Sequence, residues 1–197
     1  MEMLPLTFAS SWASGINAYA TVLILGLLGR FAGMDGIPAG FQRTDVLIAM
    51  AVLTLVEFVA DKIPYLDSAW DALSTVVRPL AGALIGALMA GGQGDLVTLT
   101  LASVGGLTAL LSHLAKAGLR LAINTSPEPV TNVTASLAGD LGVAGVLALA
   151  FANPVPAALV AGTLLLATLV VTVLLLGRVR RGWRGFRRWL GGGTAGP

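Results

Sequence analysis

The sequence predicts an all-α protein, a polytopic transmembrane helix bundle of about six spans. Three observations predict it. Hydrophobic residues make up 56% of the 197-residue chain, and its mean hydropathy is +0.86. Charged residues make up 11%, less than half of the roughly 25% usual in a soluble domain. The charges are also grouped, which leaves uncharged runs long enough to cross hydrocarbon. Cysteine is absent, which excludes disulfides, thiol catalysis and cysteine metal sites. The one histidine, His113, excludes a histidine-rich metal centre. The domain reading is a transmembrane unit over 1–177, a basic amphipathic interfacial helix over 178–190 and a disordered tail over 191–197.

The first span is expected from Ala9 to Phe31 as a permanent span, because Met1-Glu-Met-Leu-Pro5 lacks a basic n-region. Ser10, Ser14, Asn17 and Thr21 recur at helical spacing, so one face is polar and points at protein or water. The glycine-rich stretch from Ala32 to Gly40 reads as a loop. The second span runs from Thr44 to Ile63, with Thr54, Glu57 and Asp61 on one face, and Pro64 ends or bends it. Asp67 reads as the N-cap of a third helix that reaches Ala90, with Asp71, Thr75 and Arg78 on one face. Gly82, Gly86 and Ala90 on that helix form a ridge for close packing. The fourth span, Leu96 to Ile123, carries His113, Lys116 and Arg120 as a basic stripe. Ser126-Pro-Glu128 reads as the capped start of a fifth helix, on which Glu128, Asn132, Ser136 and Asp140 are each four apart. The sixth span, Ala157 to Leu176, carries no charge. Six arginines then fall between Arg178 and Arg188, with Val179, Trp183, Phe186 and Leu190 on one face. That pattern predicts contact with anionic lipid and not with nucleic acid.

By the positive-inside rule the arginine-rich end is cytoplasmic, and six spans bring the N-terminus to the same side of an inner membrane. Arg30 and Arg43 run against that assignment. An internal repeat is suggested by Leu53-Thr…Asp-Lys62 beside Leu107-Thr…Ala-Lys116, and by Leu80-Ala-Gly-Ala-Leu84 beside Leu137-Ala-Gly-Asp-Leu141. It would hold two charged, proline-broken segments, as in many transporters. Chance matching of glycine- and leucine-rich spans explains those similarities equally well.

Three stretches carry a family resemblance. They are Ser14-Gly-Ile-Asn-Ala-Tyr19, Glu57…Asp-Lys-Ile-Pro…Asp-Ser-Ala-Trp-Asp71…Arg-Pro79, and Ser126-Pro-Glu-Pro-Val-Thr-Asn132. Together they resemble a bacterial integral-membrane family catalogued as domain of unknown function 4126, over about Phe8 to Thr172. The resemblance implies a membrane location. It transfers no activity and no catalytic residue.

The function must then be read from the charges. Charge at membrane depth is costly unless it is paired, wet or used. The candidate binding residues are Asn17, Glu57, Asp61, Asp71, Arg78, His113, Lys116, Arg120, Glu128, Asn132 and Asp140. Helix N-termini near Asp67 and Ser126, with Arg78, Lys116 and Arg120, favour an anion. Glu57 and Asp140 are the deepest acids and suit a proton or a cation, and His113 is a candidate relay. The expectation is a small transporter or flippase for an anionic or lipid-linked solute, coupled to protons, in a polar cavity. A homodimer is a candidate assembly. The competing expectation is a structural or regulatory protein whose charges pair internally. A lipid-modifying enzyme that uses the Asp61–Asp71 carboxylates and a metal is a weaker third reading, and a divalent-cation site at Asp61, Asp67 and Asp71 is a weak signal for it. No HExxH, GxSxG or P-loop is present, so the balance leans against an enzyme without excluding one, and no cofactor is expected.

Overall fold

The computed structural model describes residues 3–34, 36–125 and 129–191, with backbone alone at 129 and 185–191. Among these residues the chain forms seven α-helices and no strand. They are α1 (Met3–Ile16), α2 (Ala18–Phe31), α3 (Thr44–Ala60), α4 (Leu66–Met89), α5 (Asp95–Ile123), α6 (Pro129–Ala152) and α7 (Pro154–Gly191). Four of them, α4 to α7, are long and apolar enough to cross a membrane. The bundle is apolar outside and polar inside. Leu73, Val76, Leu80 and Leu84 on α4 face outward, as do Leu159, Leu166 and Val173 on α7. Ser10, Ser14, Asn17, Thr21, Glu57, Asp61 and Arg78 are buried.

The expected first span is two helices. Asn17 takes an extended conformation, φ −150° and ψ 99°, and its side chain accepts from the Ala20 amide at 2.9 Å. Asparagine is among the best N-cap residues, so it starts a new helix where periodicity alone reads one continuous span. Each half has 14 residues, about 21 Å, which is short of the roughly 30 Å of hydrocarbon. Replacing the cap with alanine is expected to cost about 1 kcal/mol. A fall of roughly 2–4 °C in the melting temperature of Asn17→Ala would register that loss.

α1 lies at the centre of the bundle. Ser11 donates to the Gly82 carbonyl and Ser14 to the Arg78 carbonyl, so α1 runs antiparallel to α4. Ser112 donates to the Trp12 carbonyl and Lys116 to the Ile16 carbonyl, so it runs parallel to α5. α7 also runs parallel to α1: Gly162 faces Phe8 at one end, and Thr172 donates to the Ala115 carbonyl further along. α2 and α3 form an antiparallel pair, with Gly26 against Phe41 and Leu47 and Arg30 bonded to Thr44.

Other boundaries differ in detail. Asp67 lies in the first turn of α4 and the capping position is Tyr65, held at φ 69°. α4 continues through Pro79, which leaves the Thr75 carbonyl without an amide partner. The expected cap at Ser126 lies outside the described residues. α7 runs unbroken to Gly191, so 178–190 continues the last span as one helix. Gly182 and Gly185 weaken that stretch without ending it, because neither is followed by a helix-stopping residue.

Candidate functional site

α3, α4 and α5 each bring one stripe of charge to a common centre. Helical spacing of three, four and seven sets Glu57 and Asp61 on one face of α3, Asp67, Asp71 and Arg78 on one face of α4, and His113, Lys116 and Arg120 on one face of α5. Arg78 is 1% exposed and lies 2.7 Å from Glu57 and 2.9 Å from Asp71. Lys116 lies 2.7 Å from Asp61 and 3.4 Å from Glu57. Arg120 reaches Asp61 at 2.9 Å, Asp67 at 3.3 Å and Asp71 at 3.6 Å. Asp71 therefore sits between two guanidinium groups, though neither approach is aligned as a hydrogen bond. Asn124 donates to Asp67 at 2.8 Å, and the Ser68 amide donates to the same carboxylate.

The break at Asn17 supplies two further acceptors. With the chain extended there, the carbonyls at the end of α1 lose their helical donors. Lys116 donates to the Ile16 carbonyl at 2.7 Å and Arg78 approaches the Gly15 carbonyl at 3.5 Å. Cations at a helix C-terminus also suit its dipole. The broken helix and the ion network are thus one structure.

His113 contacts Arg78 through Nδ1 at 2.7 Å and Thr75 through Nε2 at 3.0 Å. A guanidinium only donates, so Nδ1 accepts and Nε2 carries the hydrogen given to Thr75. Thr75 passes its own hydrogen to the Asp71 carbonyl. Both ring nitrogens are engaged. A relay would first have to break the Arg78 contact.

Beside this network lies a cavity of about 260 Å³, between α1, α5, α6 and α7. Lys116, Arg120, Ser136, Asp140 and Thr168 form its polar wall, and Trp12, Ile16, Leu119 and Leu164 its apolar wall. Asp140 also lies 3.6 Å from Lys62, whose amine donates to Ser136 and sits over the Phe58 ring.

Of the residues singled out from sequence, Glu57, Asp61, Asp71, Arg78, His113, Lys116 and Arg120 meet in the network, and Asn17 stands at the break beside it. Asp140 is on the cavity wall. Asn132 is buried on α6, and neither polar atom of its side chain has a partner among the described residues. Glu128 lies outside the described residues. Asp67 and Asn124 were missed as network members, and so were the Gly15 and Ile16 carbonyls. Their signal was present: Asp67 is one turn before Asp71, Asn124 one turn after Arg120, and Asn17 is a cap residue inside a span. No group of three His, Cys, Asp or Glu side chains among the described residues is arranged to hold a metal ion.

The model of the family described as Domain of unknown function (DUF4126) matches residues 4–174. The chain belongs to this family. The matched region holds every residue of the network and the cavity, while the arginine-rich end of α7 lies beyond it. No curated protein and no solved structure matches the chain.

Proposed function

We propose that this membrane protein is a small transporter or flippase for an anionic or lipid-linked solute, with protons as its coupling ion. The observation that carries the reading is the cavity that meets a buried ion network along Lys116 and Arg120. Its volume lies just below the roughly 300–1,000 Å³ of ordinary ligand sites, which suits a small anion or a lipid head group. Both cations are already held by Asp61, so an entering anion competes with that carboxylate. A proton on the displaced carboxylate neutralises it, and proton and anion then bind with positive coupling.

The helix directions support one reading of the membrane topology. The outward face of α3 is apolar at Ile48, Val52, Leu55 and Val59, which suits a fifth crossing despite its 17 residues. α1 enters toward the network, and α2 leaves it paired with α3, so the pair reads as a re-entrant element. Counted as one crossing, it gives the six spans of the sequence reading, with both termini cytoplasmic. The parallel course of α1 and α7 favours five crossings plus the re-entrant pair, with the termini on opposite faces. The exposed Arg178, Arg180, Arg181 and Arg184 around Trp183 then meet anionic lipid at the cytoplasmic surface.

The test is flux into proteoliposomes, using inorganic phosphate, a short-chain carboxylate and a fluorescent anionic lipid as cargoes and an internal pH dye. Asp140→Asn is expected to lower flux of the accepted cargo roughly tenfold, the effect of about 1.4 kcal/mol, while the protein stays folded. Unchanged flux in Asp140→Asn, or no flux of any cargo in wild type, would leave the second reading. That reading takes the charges as internal staples, and it is favoured by the pairing of Arg78, Lys116 and Arg120 with carboxylates.

A further inference from the structure

The charges in the network do not balance. Four carboxylates, Glu57, Asp61, Asp67 and Asp71, meet three cations, Arg78, Lys116 and Arg120. Lys62 does not correct the difference, because it is paired with Asp140. His113 is neutral by its contacts. One negative charge is therefore in excess at a site where every one of these side chains is buried. An uncompensated buried carboxylate is so unfavourable that it neutralises instead.

The geometry locates the excess. Glu57 turns one oxygen, Oε1, to both Arg78 and Lys116, and Asp61 turns one oxygen, Oδ2, to both Lys116 and Arg120. The other oxygen of each, Glu57 Oε2 and Asp61 Oδ1, is buried with no partner. Glu57 lies in the last turn of α3 and Asp61 is its C-cap, one helical turn on with its amide bonded to the Glu57 carbonyl, so the side chains are neighbours. At the far end of the network Asp67 has Arg120, Asn124, the Ser68 amide and the positive end of the α4 dipole. At the near end, the α1 carbonyls of Gly15 and Ile16 add negative potential beside Arg78 and Lys116. Asp71 is the rival acid: neither of its oxygens has an aligned hydrogen bond, but each has its own guanidinium, Arg78 at 2.9 Å and Arg120 at 3.6 Å, whereas Glu57 and Asp61 share Lys116 between them. The other groups near α3 do not change the count: the Tyr19 phenol of α2 carries no charge.

We propose that the resting protein holds one proton between Glu57 Oε2 and Asp61 Oδ1, as a buried carboxylic acid–carboxylate pair. The O–H on one residue donates to the bare oxygen of the other, and the network becomes neutral. This deepens the transport reading by giving its coupling ion a site, and it rests on that reading for its use but not for its existence.

Infrared difference spectroscopy of the full chain in lipid vesicles tests it, with no solute present. The probe is the C=O stretch of a protonated carboxyl group, followed as pH rises from neutral. Wild type is expected to show the band near neutral pH, and to keep it when K⁺ is replaced by Na⁺. Glu57→Gln and Asp61→Asn are each expected to remove it, while Asp71→Glu, which keeps the charge count, is expected to leave the band at its wild-type frequency. Absence of the band in wild type, its loss on adding Na⁺, its survival in Glu57→Gln, or a shifted band in Asp71→Glu would overturn the proposal. If an α3 variant does not fold, the wild-type band and its response to Na⁺ still decide. A failed flux assay leaves this result standing, and a missing band leaves flux standing.

Discussion

Arg78→Met is expected to destabilise the folded protein by roughly 3–5 kcal/mol, the scale of removing one partner from a buried ion pair. Arg78 is the point at which four helices meet. It carries Glu57 from α3, Asp71 on its own helix, His113 from α5 and the Gly15 carbonyl at the end of α1. Methionine fills much of the space and supplies no donor. Glu57 and Asp71 would then share Lys116 and Arg120 with Asp61 and Asp67, which leaves two carboxylates in excess. Arg78→Lys is expected to recover only part of the loss, because a single ammonium cannot reproduce the two-pronged contact. Denaturation of the purified protein in detergent measures both. An Arg78→Met protein as stable as wild type would mean that the network holds nothing together.

Gly86→Val is expected to be comparably damaging, for a reason unrelated to charge. α4 and α5 form a hairpin whose axes approach through glycine: Gly82 and Gly105 face each other, and Gly86 faces Leu101. A Cβ on Gly86 would lie 2.6 Å from the Leu101 carbonyl carbon and 3.0 Å from the Ala102 nitrogen. Both are backbone atoms, which cannot swing aside, so the helices must separate. Overpacking of this kind costs about 1–3 kcal/mol and more for a branched side chain. Separation would also draw Arg78 away from His113 and Asp71 away from Arg120. Gly145 on α6 is the control, because a Cβ there meets nothing within 4 Å. Gly145→Ala is expected to leave stability unchanged or raise it through helix propensity. Equal melting temperatures for Gly86→Val and Gly145→Ala would contradict the close approach of α4 and α5.

Much of this arrangement was legible in the sequence because charge is scarce in it. Glu57 with Asp61, Asp71 with Arg78, and His113 with Lys116 and Arg120 each lie at helical spacing between apolar runs, so each had to point inward. The uncharged sixth span is α7, whose long exposed aliphatic face fits lipid. What was not legible depends on geometry that periodicity does not encode. Asn17 sits on the polar stripe of an otherwise continuous pattern, and only its backbone angles reveal that it ends one helix and caps the next. The carbonyls this break exposes have no side-chain signature at all. The partner of each carboxylate was also undetermined, since three stripes can face one another in several registers. Gly15, Gly82, Gly86 and Gly105 set that register by allowing close approach. Asp67 was read as a cap because acids favour that position. Burial beside Arg120 and Asn124 instead joins it to the network.

Anion binding in the cavity beside Lys116 and Arg120 is what sets the transport reading apart from internal staples. The direct measurement is thermal stability of the detergent-purified protein across inorganic phosphate, short-chain carboxylates and soluble lipid head groups, in wild type and in Thr168→Phe. Thr168 lines the cavity from α7 and touches none of the ion pairs, so phenylalanine there fills the space without disturbing the network. A ligand that binds only the folded state raises its stability by mass action, by about 2.7 kcal/mol at a hundred times its dissociation constant. At least one anion is expected to raise the melting temperature of wild type and not of Thr168→Phe. No shift with any anion, or the same shift in both proteins, would contradict it.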